Sequence, residues 1–265
     1  MLKQRIISAL WGIPLVFAAI WFGDPWFSIL VAVIAILAAF EFYEMISSRV
    51  SPWTFFGLIW VVLMVLSPHS DDDRVVPLLF TSAVVISLDW FVWRPTRDAF
   101  SGWVWTLAGI FYVGWMLSHL VGLRRLDNGR DWVLLVIFAT FATDSVAYLL
   151  GRAFGRHLMA PAISPGKTWE GAVAGLAGGL AATVALAFIL DLTPHPLSYP
   201  GVVLLGFLIP VFAQLGDLAE SLLKRSAGVK DAGHLIPGHG GMLDRMDSII
   251  FSSIIVYYYV IWVIG

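Results

Sequence analysis

The sequence contains no cysteine and carries little charge, and both shortages limit what the protein can be. None of its 265 residues is cysteine, which excludes disulfide bonds, thiolate metal ligands and cysteine nucleophiles. Only 13% of the residues are charged, whereas a soluble domain is about one quarter charged. Together with 59% hydrophobic residues, this composition indicates an integral membrane protein. The formal net charge of −2 shows no basic excess, so we expect no nucleic-acid partner.

Long hydrophobic runs predict an all-α, polytopic membrane fold with nine transmembrane helices. The most polar loop lies near Asn128, so residues 1–127 are expected to form an N-terminal region of five helices and residues 128–265 a C-terminal region of four. The third helix is short for a bilayer, which needs about 20 residues per helix. We place the nine helices at residues 6–22, 26–45, 53–66, 75–93, 100–123, 132–150, 169–190, 201–225 and 243–264.

The distribution of Lys and Arg predicts the orientation of these helices. If the N-terminus is cytosolic, twelve of these cations fall in cytosolic segments and four fall outside, as the positive-inside rule requires. The loops at residues 151–168 and 225–243 would then lie on the cytosolic side, and the C-terminus would lie outside. We expect the first helix to be retained rather than cleaved as a signal peptide, and the protein to lie in a bacterial-type inner membrane.

The scarce charges concentrate in the stretch 214–247, between two hydrophobic runs. Nine charged residues there would be costly near lipid, so they indicate chemistry or transport. If residues 210–225 are helical, one helix face carries an amide, a carboxylate, a hydroxyl and an ammonium group. These groups belong to Gln214, Asp217, Ser221 and Lys224. Gly228 permits the helix to end, and the glycine-rich loop that follows can bring backbone N–H groups close to phosphate oxygens.

Carboxylates at two places in this stretch suggest a metal site. Asp217 lies near the end of the eighth predicted helix, and Asp244 and Asp247 lie on one side of the start of the ninth. Oxygen ligands without any cysteine favour Mg²⁺, and a second cation stays open. Two alternatives also stay open. Asp217 could form an ion pair with Lys224 or Arg225 at the membrane interface, and either later aspartate could cap the ninth helix.

Two further polar sites have both a functional and a structural interpretation. Asp144 lies inside the apolar sixth helix, where a carboxylate is usually functional, with a hydrogen-bonded structural role as the alternative. Tyr148 and Gly151 share its helix face. Lys167 follows Ser164 in a loop before a helix start, which suits an anion. The P-loop motif is absent, however, and the lysine could instead be a topology signal.

Three glycines and two glutamates are interpreted as structural. Gly171, Gly175 and Gly179 recur every four residues in the seventh helix and predict a small-residue packing stripe. Glu41 and Glu44 lie near the end of the second helix, and we expect both at the membrane interface.

The longest pattern in the sequence runs from residue 221 to residue 247. It reads Ser221-x2-Lys224-Arg225-x4-Lys230-Asp231-x-Gly233-x2-Ile236-Pro237-x-His239-Gly240-Gly241-x2-Asp244-Arg245-x-Asp247. This pattern resembles the signature of phosphatidate cytidylyltransferases, also called CDP-diacylglycerol synthases. Upstream, Thr143-Asp144-x2-Ala147-Tyr148 and Ser164-Pro165-x-Lys167-Thr168-x-Glu170-Gly171 extend the similarity over roughly the C-terminal half.

The resemblance implies a site at the cytosolic membrane face that transfers CMP from CTP to phosphatidic acid, giving CDP-diacylglycerol and pyrophosphate. The lipid would enter from the bilayer, and a homodimer is one option for the assembly. The implied metal ligands are Asp217 and Asp244. The implied catalytic residues are Asp144, Lys167, Lys224, Arg225, Lys230, Asp231, Arg245 and Asp247. The implied substrate-binding residues are Tyr148, Ser164, Gln214, Ser221, His239, Gly240 and Gly241.

Two other functions stay open from the sequence. A CTP-dependent polyprenol or phytol kinase resembles the region around Asp144 but lacks the full pattern at 221–247. An ion-coupled membrane transporter could use Asp144 and Asp217 within a helical bundle, but the inverted repeat that would support it is not found. Pyrophosphate release from CTP and phosphatidate would separate the first function from these two.

Overall fold

The computed structural model describes residues 2–47, 52–94, 97–233 and 240–264 of the chain. The described residues form ten α-helices, which confirms the all-α class. A π-helical segment, Ile110–Trp115, joins the fifth helix to the sixth, and another continues the tenth to Ile264. The helices are α1 (Leu2–Phe22), α2 (Trp26–Ser47), α3 (Thr54–Leu66), α4 (Val75–Trp93), α5 (Ala99–Gly109), α6 (Met116–Arg125), α7 (Gly129–Phe154), α8 (Trp169–Ile189), α9 (Tyr199–Ala227) and α10 (Leu243–Tyr259).

Every one of the nine predicted helices has a counterpart in the structure, and most are long enough to span a membrane. Seven helical stretches in the described residues reach that length and apolar content, with α5, its π segment and α6 counting as one. Two others, Leu10–Phe22 and Thr54–His69, are apolar but shorter. The protein is therefore a polytopic membrane protein, while the number of helices that cross the bilayer stays a prediction.

Backbone conformation at single residues sets two of the helix ends. α9 ends at Ala227, where Gly228 has a φ angle of 77° that only glycine adopts without strain. The predicted helix stop at this glycine is confirmed. α7 begins at Gly129, earlier than predicted, directly after Asn128 in the left-handed conformation.

The sequence led us to expect only a loop between α7 and α8, but the structure shows more than a loop there. It contains an antiparallel hairpin of β1 (Leu158–Ala160) and β2 (Ser164–Thr168), with Leu158 opposite Thr168 and Ala160 opposite Ser164. The residues of β2 are small, cyclic or flexible and lack the β-branched alternation that marks a strand. Thr168 then caps α8, because its Oγ1 accepts a hydrogen bond from the backbone N–H of Gly171.

The chain divides into two compact units. The first comprises Met1–Gly122 together with Ser226–Met246, and the second comprises Leu123–Arg225 together with Asp247–Gly265. The glycine-rich part of the 221–247 pattern therefore belongs to the same unit as the N-terminal helices. In this first unit, Phe56, Met64, Ala83 and Ile110 form a buried apolar cluster, and the Tyr43 hydroxyl donates a hydrogen bond to the Thr106 carbonyl at 2.8 Å.

Close packing of α7 against α8 organises the second unit. A Cβ at Gly175 would lie 2.8 Å from the Cβ of Ala147, and one at Gly171 would lie 2.8 Å from the Ala147 carbonyl oxygen. Gly179 is buried on the same face of α8. The predicted small-residue stripe is confirmed, and the close approach that it permits brings the start of α8 and the hairpin beside Asp144 on α7.

Candidate active site

Polar residues of the second unit converge on one cavity of about 340 Å³. Helices α7, α8 and α9 and the hairpin each contribute to its wall. Five predicted site residues meet in it, namely Asp144, Tyr148, Lys167, Gln214 and Asp217. The rest of the lining consists of Ala147, Gly151, Arg152, Met159, Gly166, Thr168, Gly171 and Ala172.

Lys167 and Asp217 form an ion pair in this cavity. The Lys167 Nζ lies 2.8 Å from the Asp217 Oδ2, and the two side chains are 21% and 36% exposed. The partner of Asp217 is therefore not Lys224 or Arg225, the local partners that the sequence offered. Lys167 lies in β2 of the hairpin, which the sequence did not predict, and the hairpin places this lysine in the wall of the cavity. Both side chains are partly exposed, whereas the Lys167 Nζ itself is buried.

The two cations at the end of α9 have other partners. Lys224 Nζ lies 2.6 Å from an oxygen of Glu220 one turn earlier, and Glu220 is only 1% exposed. The guanidinium of Arg225 donates from Nε to the Ile163 carbonyl at 3.1 Å, at the turn of the hairpin. The end of α9 is thus tied to the hairpin, and a buried carboxylate orients Lys224.

Three carboxylates of the second unit lie near one another. Asp144 and Asp217 are within electrostatic range, as are Asp217 and Asp247, and Asp144 also interacts with Asp247. Asp144 hydrogen-bonds to the side chain of Ser248, and Asp247 accepts the backbone N–H of Ser248 at 2.6 Å. A nearby positive charge stabilises an ionised carboxylate, and a nearby negative charge destabilises it. The nearby Lys167, or another cation, therefore stabilises the ionised form of this cluster.

The donor set of this cluster fits a hard divalent cation in its chemistry. Its oxygens all come from carboxylates, the ligands that Mg²⁺ prefers, and their mutual repulsion is what a cation relieves. In the part of the chain that the structure describes, however, no group of three or more Asp, Glu or His side chains is arranged closely enough to hold one ion. The ligand assignment therefore stays a prediction.

Asp244, the second predicted metal ligand, belongs to the first unit. Its Oδ2 accepts hydrogen bonds from the backbone N–H groups of Gly241 at 3.1 Å and Ala232 at 3.4 Å. It thus joins the two ends of the glycine-rich segment at the start of α10. Its role as a ligand beside Asp217 stays a prediction, because the two residues belong to different units.

Glu41, which the sequence led us to expect at the membrane interface, has a partner within the fold that the sequence did not predict. It is fully buried in the first unit, and its Oε2 accepts the backbone N–H of Leu243 at 2.9 Å, across 202 residues of sequence. Its depth in the membrane stays a prediction, and the backbone partner was missed because the position of a glutamate near a helix end does not reveal a long-range contact. Glu44, one turn further along α2, is exposed.

The other predicted site residues are distributed over both units. Ser164 lies in β2, Ser221 is buried in α9, and Asp247 lies in the first turns of α10. His239 lies outside the described residues, and Gly240 has a positive φ of 86°. Those assigned to the first unit are Lys230, Asp231, Gly240, Gly241 and Arg245.

Several residues that line the cavity or hold the segments around it were not predicted to act there. Glu170 accepts the backbone N–H groups of Arg156 at 3.1 Å and His157 at 3.2 Å, and so holds the chain at the beginning of the hairpin. Both Glu170 and Thr168 were part of the sequence resemblance, which could have marked them. Met159 and Glu220 had no comparable signal in the sequence, and Glu220 in particular looked like one charge among nine.

The sequence matches the cytidylyltransferase family over residues 3–263. The chain belongs to the cytidylyltransferase family. Among its curated relatives, the phosphatidate cytidylyltransferase of Synechocystis is 35% identical, with 97% of this chain and 96% of the relative covered. The enzyme of that name from Brucella abortus is 32% identical over 97% of this chain and 92% of its own length. The chloroplastic phosphatidate cytidylyltransferase 4 of Arabidopsis thaliana is 33% identical over 98% of this chain and 73% of the relative. The family similarity thus includes the N-terminal helices as well as the C-terminal half from which the resemblance was drawn.

Proposed function

We infer that this protein is a phosphatidate cytidylyltransferase, which transfers CMP from CTP to phosphatidic acid and releases pyrophosphate. The observation that carries this inference is the polar cavity in which Lys167 and Asp217 lie beside Asp144 and Tyr148, in a chain of the cytidylyltransferase family. The names of its relatives support phosphatidate as the lipid substrate.

The reaction requires mainly positioning and charge neutralisation from the protein. A phosphate oxygen of the lipid attacks the α-phosphorus of CTP, and the new P–O bond forms as the bond to pyrophosphate breaks. The attacking oxygen is already ionised, so no general base is needed. Cations held in place by the protein stabilise the charge that develops on the phosphoryl oxygens and on the leaving pyrophosphate.

Lys167 is the cation best placed for this task. It lines the cavity, and its buried ammonium group is paired with the Asp217 carboxylate. An incoming phosphate oxygen competes with the Asp217 carboxylate for the same N–H donors, so binding requires only a small movement of the lysine. The further cations that we propose for the triphosphate and the lipid phosphate are Lys224, Arg225, Lys230 and Arg245.

A divalent cation, most simply Mg²⁺, is part of the proposal. Asp217 and Asp244 are the proposed ligands, with Asp144 and Asp247 as the neighbouring candidates and a second cation left open. When bound, the cation would neutralise triphosphate charge and stabilise pyrophosphate as the leaving group. In its absence, Lys167 supplies the positive charge that the carboxylates of the second unit need.

An apolar groove next to the polar cavity suits the lipid chains. The groove has a volume of about 460 Å³ and shares Met159, Ala172 and Gln214 with the polar cavity. Its outer wall includes Val173, which is 63% exposed, and Trp169, which is 57% exposed. We propose that an acyl chain of phosphatidate lies in this groove while its phosphate reaches Lys167. Such an arrangement lets the substrate enter from the bilayer.

The orientation in the membrane and the assembly are also proposals. The excess of Lys and Arg in alternate loops supports a cytosolic N-terminus, an outer C-terminus and a site that faces cytosolic CTP in a bacterial-type inner membrane. A homodimer is compatible with this arrangement.

Pyrophosphate release by the purified protein tests the proposed activity. We expect release only when CTP, Mg²⁺ and a short-chain phosphatidate are all present. Lys167→Met should lower kcat/KM at least about 100-fold, since it removes one fixed phosphoryl contact in a low-dielectric site. Arg156→Met is the matched control, because Arg156 is an exposed cation at the beginning of the hairpin and does not line the cavity. Equal activity of the two variants would remove Lys167 from the site.

A further inference from the structure

Two ends of the glycine-rich segment of the first unit meet at one buried side chain, Glu41 of α2. One end is Ala232–Gly233, and the other is Gly241–Leu243, at the start of α10. The backbone N–H of Leu243 donates to the Glu41 Oε2 at 2.9 Å. Glu41 is 0% exposed, so this hydrogen bond is shielded from water and is made by a group that is costly to bury.

The glycines of both ends pack directly on the Glu41 carboxylate. A Cβ added at Gly233 would lie 2.5 Å from the Glu41 Oε1, and one added at Gly241 would lie 2.7 Å from the Glu41 Oε2. The carboxylate therefore lies where any larger residue would have to be. These two positions are occupied by glycine because the backbone closes around the side chain of another helix, and neither has a positive φ that would explain the glycine.

Asp244 holds the same two ends by a second contact. Its Oδ2 accepts the backbone N–H groups of Ala232 and Gly241, one from each end. Two carboxylates, one from α2 and one from α10, thus fix the base of the segment that carries the His239-Gly240-Gly241 part of the sequence pattern. Asp244 belongs to the proposed metal and phosphate machinery, whereas the contacts of Glu41 include the Leu243 backbone and the two glycines that flank the segment.

We propose that Glu41 is a positioning residue for the reaction, which holds the Leu243 N–H and the flanking glycines so that Asp244 and the glycine-rich segment are presented correctly to the substrate. This role rests on the proposed cytidylyltransferase activity. It gives the N-terminal helices a part in catalysis, because the anchor of a C-terminal pattern lies on α2. Misplacement of catalytic groups by about 1 Å can cost about 100-fold in rate, so the anchor can act strongly without touching the substrate.

Substitutions at Glu41 separate positioning from simple folding. Glu41→Ala removes the acceptor, and we expect kcat to fall by about 100-fold. Glu41→Gln keeps a carbonyl acceptor for the Leu243 N–H, so its kcat should return to within about tenfold of wild type. Glu44→Gln is the matched control on the same helix, because Glu44 is exposed, and it should leave kcat unchanged. Equal losses in Glu41→Ala and Glu41→Gln, or normal turnover of Glu41→Ala, would overturn the proposal.

Gly233→Ala tests the same contact from the other side and keeps the proposal testable if Glu41→Ala folds poorly, and a double-variant cycle adds a second test where both variants fold. Gly233→Ala should push the carboxylate away from the Leu243 N–H and lower kcat on its own. The three atoms nearest to its added Cβ all belong to Glu41, so the double variant Glu41→Ala/Gly233→Ala should be no slower than Glu41→Ala. Additive losses of kcat would show that the two positions act independently, and would contradict the proposal that Glu41 holds the segment.

Hydrogen–deuterium exchange provides a readout that does not depend on activity. Amides of residues 241–246 should exchange faster in Glu41→Ala than in wild type and Glu44→Gln, and close to the wild-type rate in Glu41→Gln. Unchanged exchange in Glu41→Ala would overturn the proposal that Glu41 holds this segment. If the wild-type protein released no pyrophosphate, the proposed function would fail, while this exchange experiment would still decide whether Glu41 holds the segment.

Discussion

Replacing Lys167 with Met should destabilise the protein more than replacing its partner Asp217 with Asn. The Lys167 ammonium lies 2.8 Å from Asp217 and is also within electrostatic range of Asp144. Asp217 in turn interacts with both Asp144 and Asp247. Removal of the lysine leaves Asp144 and Asp217 without the cation that they share, while Asp247 keeps its interaction with Lys224. Removal of the Asp217 charge leaves Lys167 beside Asp144 and ends two of the repulsions.

The expected magnitudes follow from the distance and the exposure of the pair. Unit charges 2.8 Å apart attract by about 6 kcal/mol at an effective dielectric constant of about 20. Both side chains are partly exposed, and desolvation and side-chain ordering offset most of that attraction. We therefore expect Lys167→Met to lower the free energy of unfolding by about 1–3 kcal/mol. Asp217→Asn should lower it by only about 0–1 kcal/mol, because relief of repulsion offsets the lost ion pair.

Unfolding of the purified protein in detergent measures both effects. The double variant Lys167→Met/Asp217→Asn should be more stable than Lys167→Met alone. Mg²⁺ should raise the unfolding midpoint of Lys167→Met more than that of wild type, because a bound cation replaces the missing ammonium. Arg156→Met, which removes an exposed cation from the same region, is the control and should change the midpoint little.

Two results would refute this account of the carboxylate cluster. One is a larger loss of stability in Asp217→Asn than in Lys167→Met. The other is a double variant whose loss equals the sum of the two single losses, since independent sites add and coupled charges do not.

Three further predictions test the groove, the helix packing and the orientation. Val173→Trp should fill the apolar groove and raise KM for phosphatidate about tenfold while KM for CTP stays unchanged in steady-state kinetics; equal changes in both constants would argue against the groove. Gly175→Leu should lower the free energy of unfolding by about 1–3 kcal/mol in denaturant titrations, because even a Cβ would lie 2.8 Å from that of Ala147; an unaffected protein would contradict the close packing of α7 on α8. Accessibility labelling should find a tag at the N-terminus in the cytosol and one at the C-terminus outside; both tags on one side would show an even number of spans.

Much of the fold could be predicted because hydrophobic runs directly reflect a lipid environment. Runs of apolar residues located all nine helices, and Gly228 located the end of α9. The hairpin could not be predicted from the same signal, because β2 reads Ser-Pro-Gly-Lys-Thr and shows no alternation of apolar and polar residues. The beginning of the hairpin is held instead by Glu170 at the start of α8, which accepts the backbone N–H groups of Arg156 and His157.

The sequence predicted which residues belong to the site better than it predicted the contacts among them. Charged residues inside a hydrophobic chain are few, so spacing and resemblance identified Asp144, Lys167 and Asp217, which share one cavity in the structure. Contacts between residues that are far apart in the chain give no comparable signal in the sequence. The ion pair of Asp217 with Lys167 depends on the hairpin, and the hydrogen bond of Glu41 with the Leu243 backbone spans 202 residues. Neither partner could be read from periodicity or local charge patterns.

The fate of the two ends of the CTP triphosphate tests the central claim most directly. Purified protein is given Mg²⁺, short-chain phosphatidate and CTP that carries a label on either the α- or the γ-phosphate. We predict that the α-label passes to the lipid product and that the γ-label leaves as pyrophosphate, and that neither occurs without phosphatidate. Transfer of the γ-label to a lipid with release of CDP would show a lipid kinase instead, and no transfer of either label would contradict the proposed enzyme.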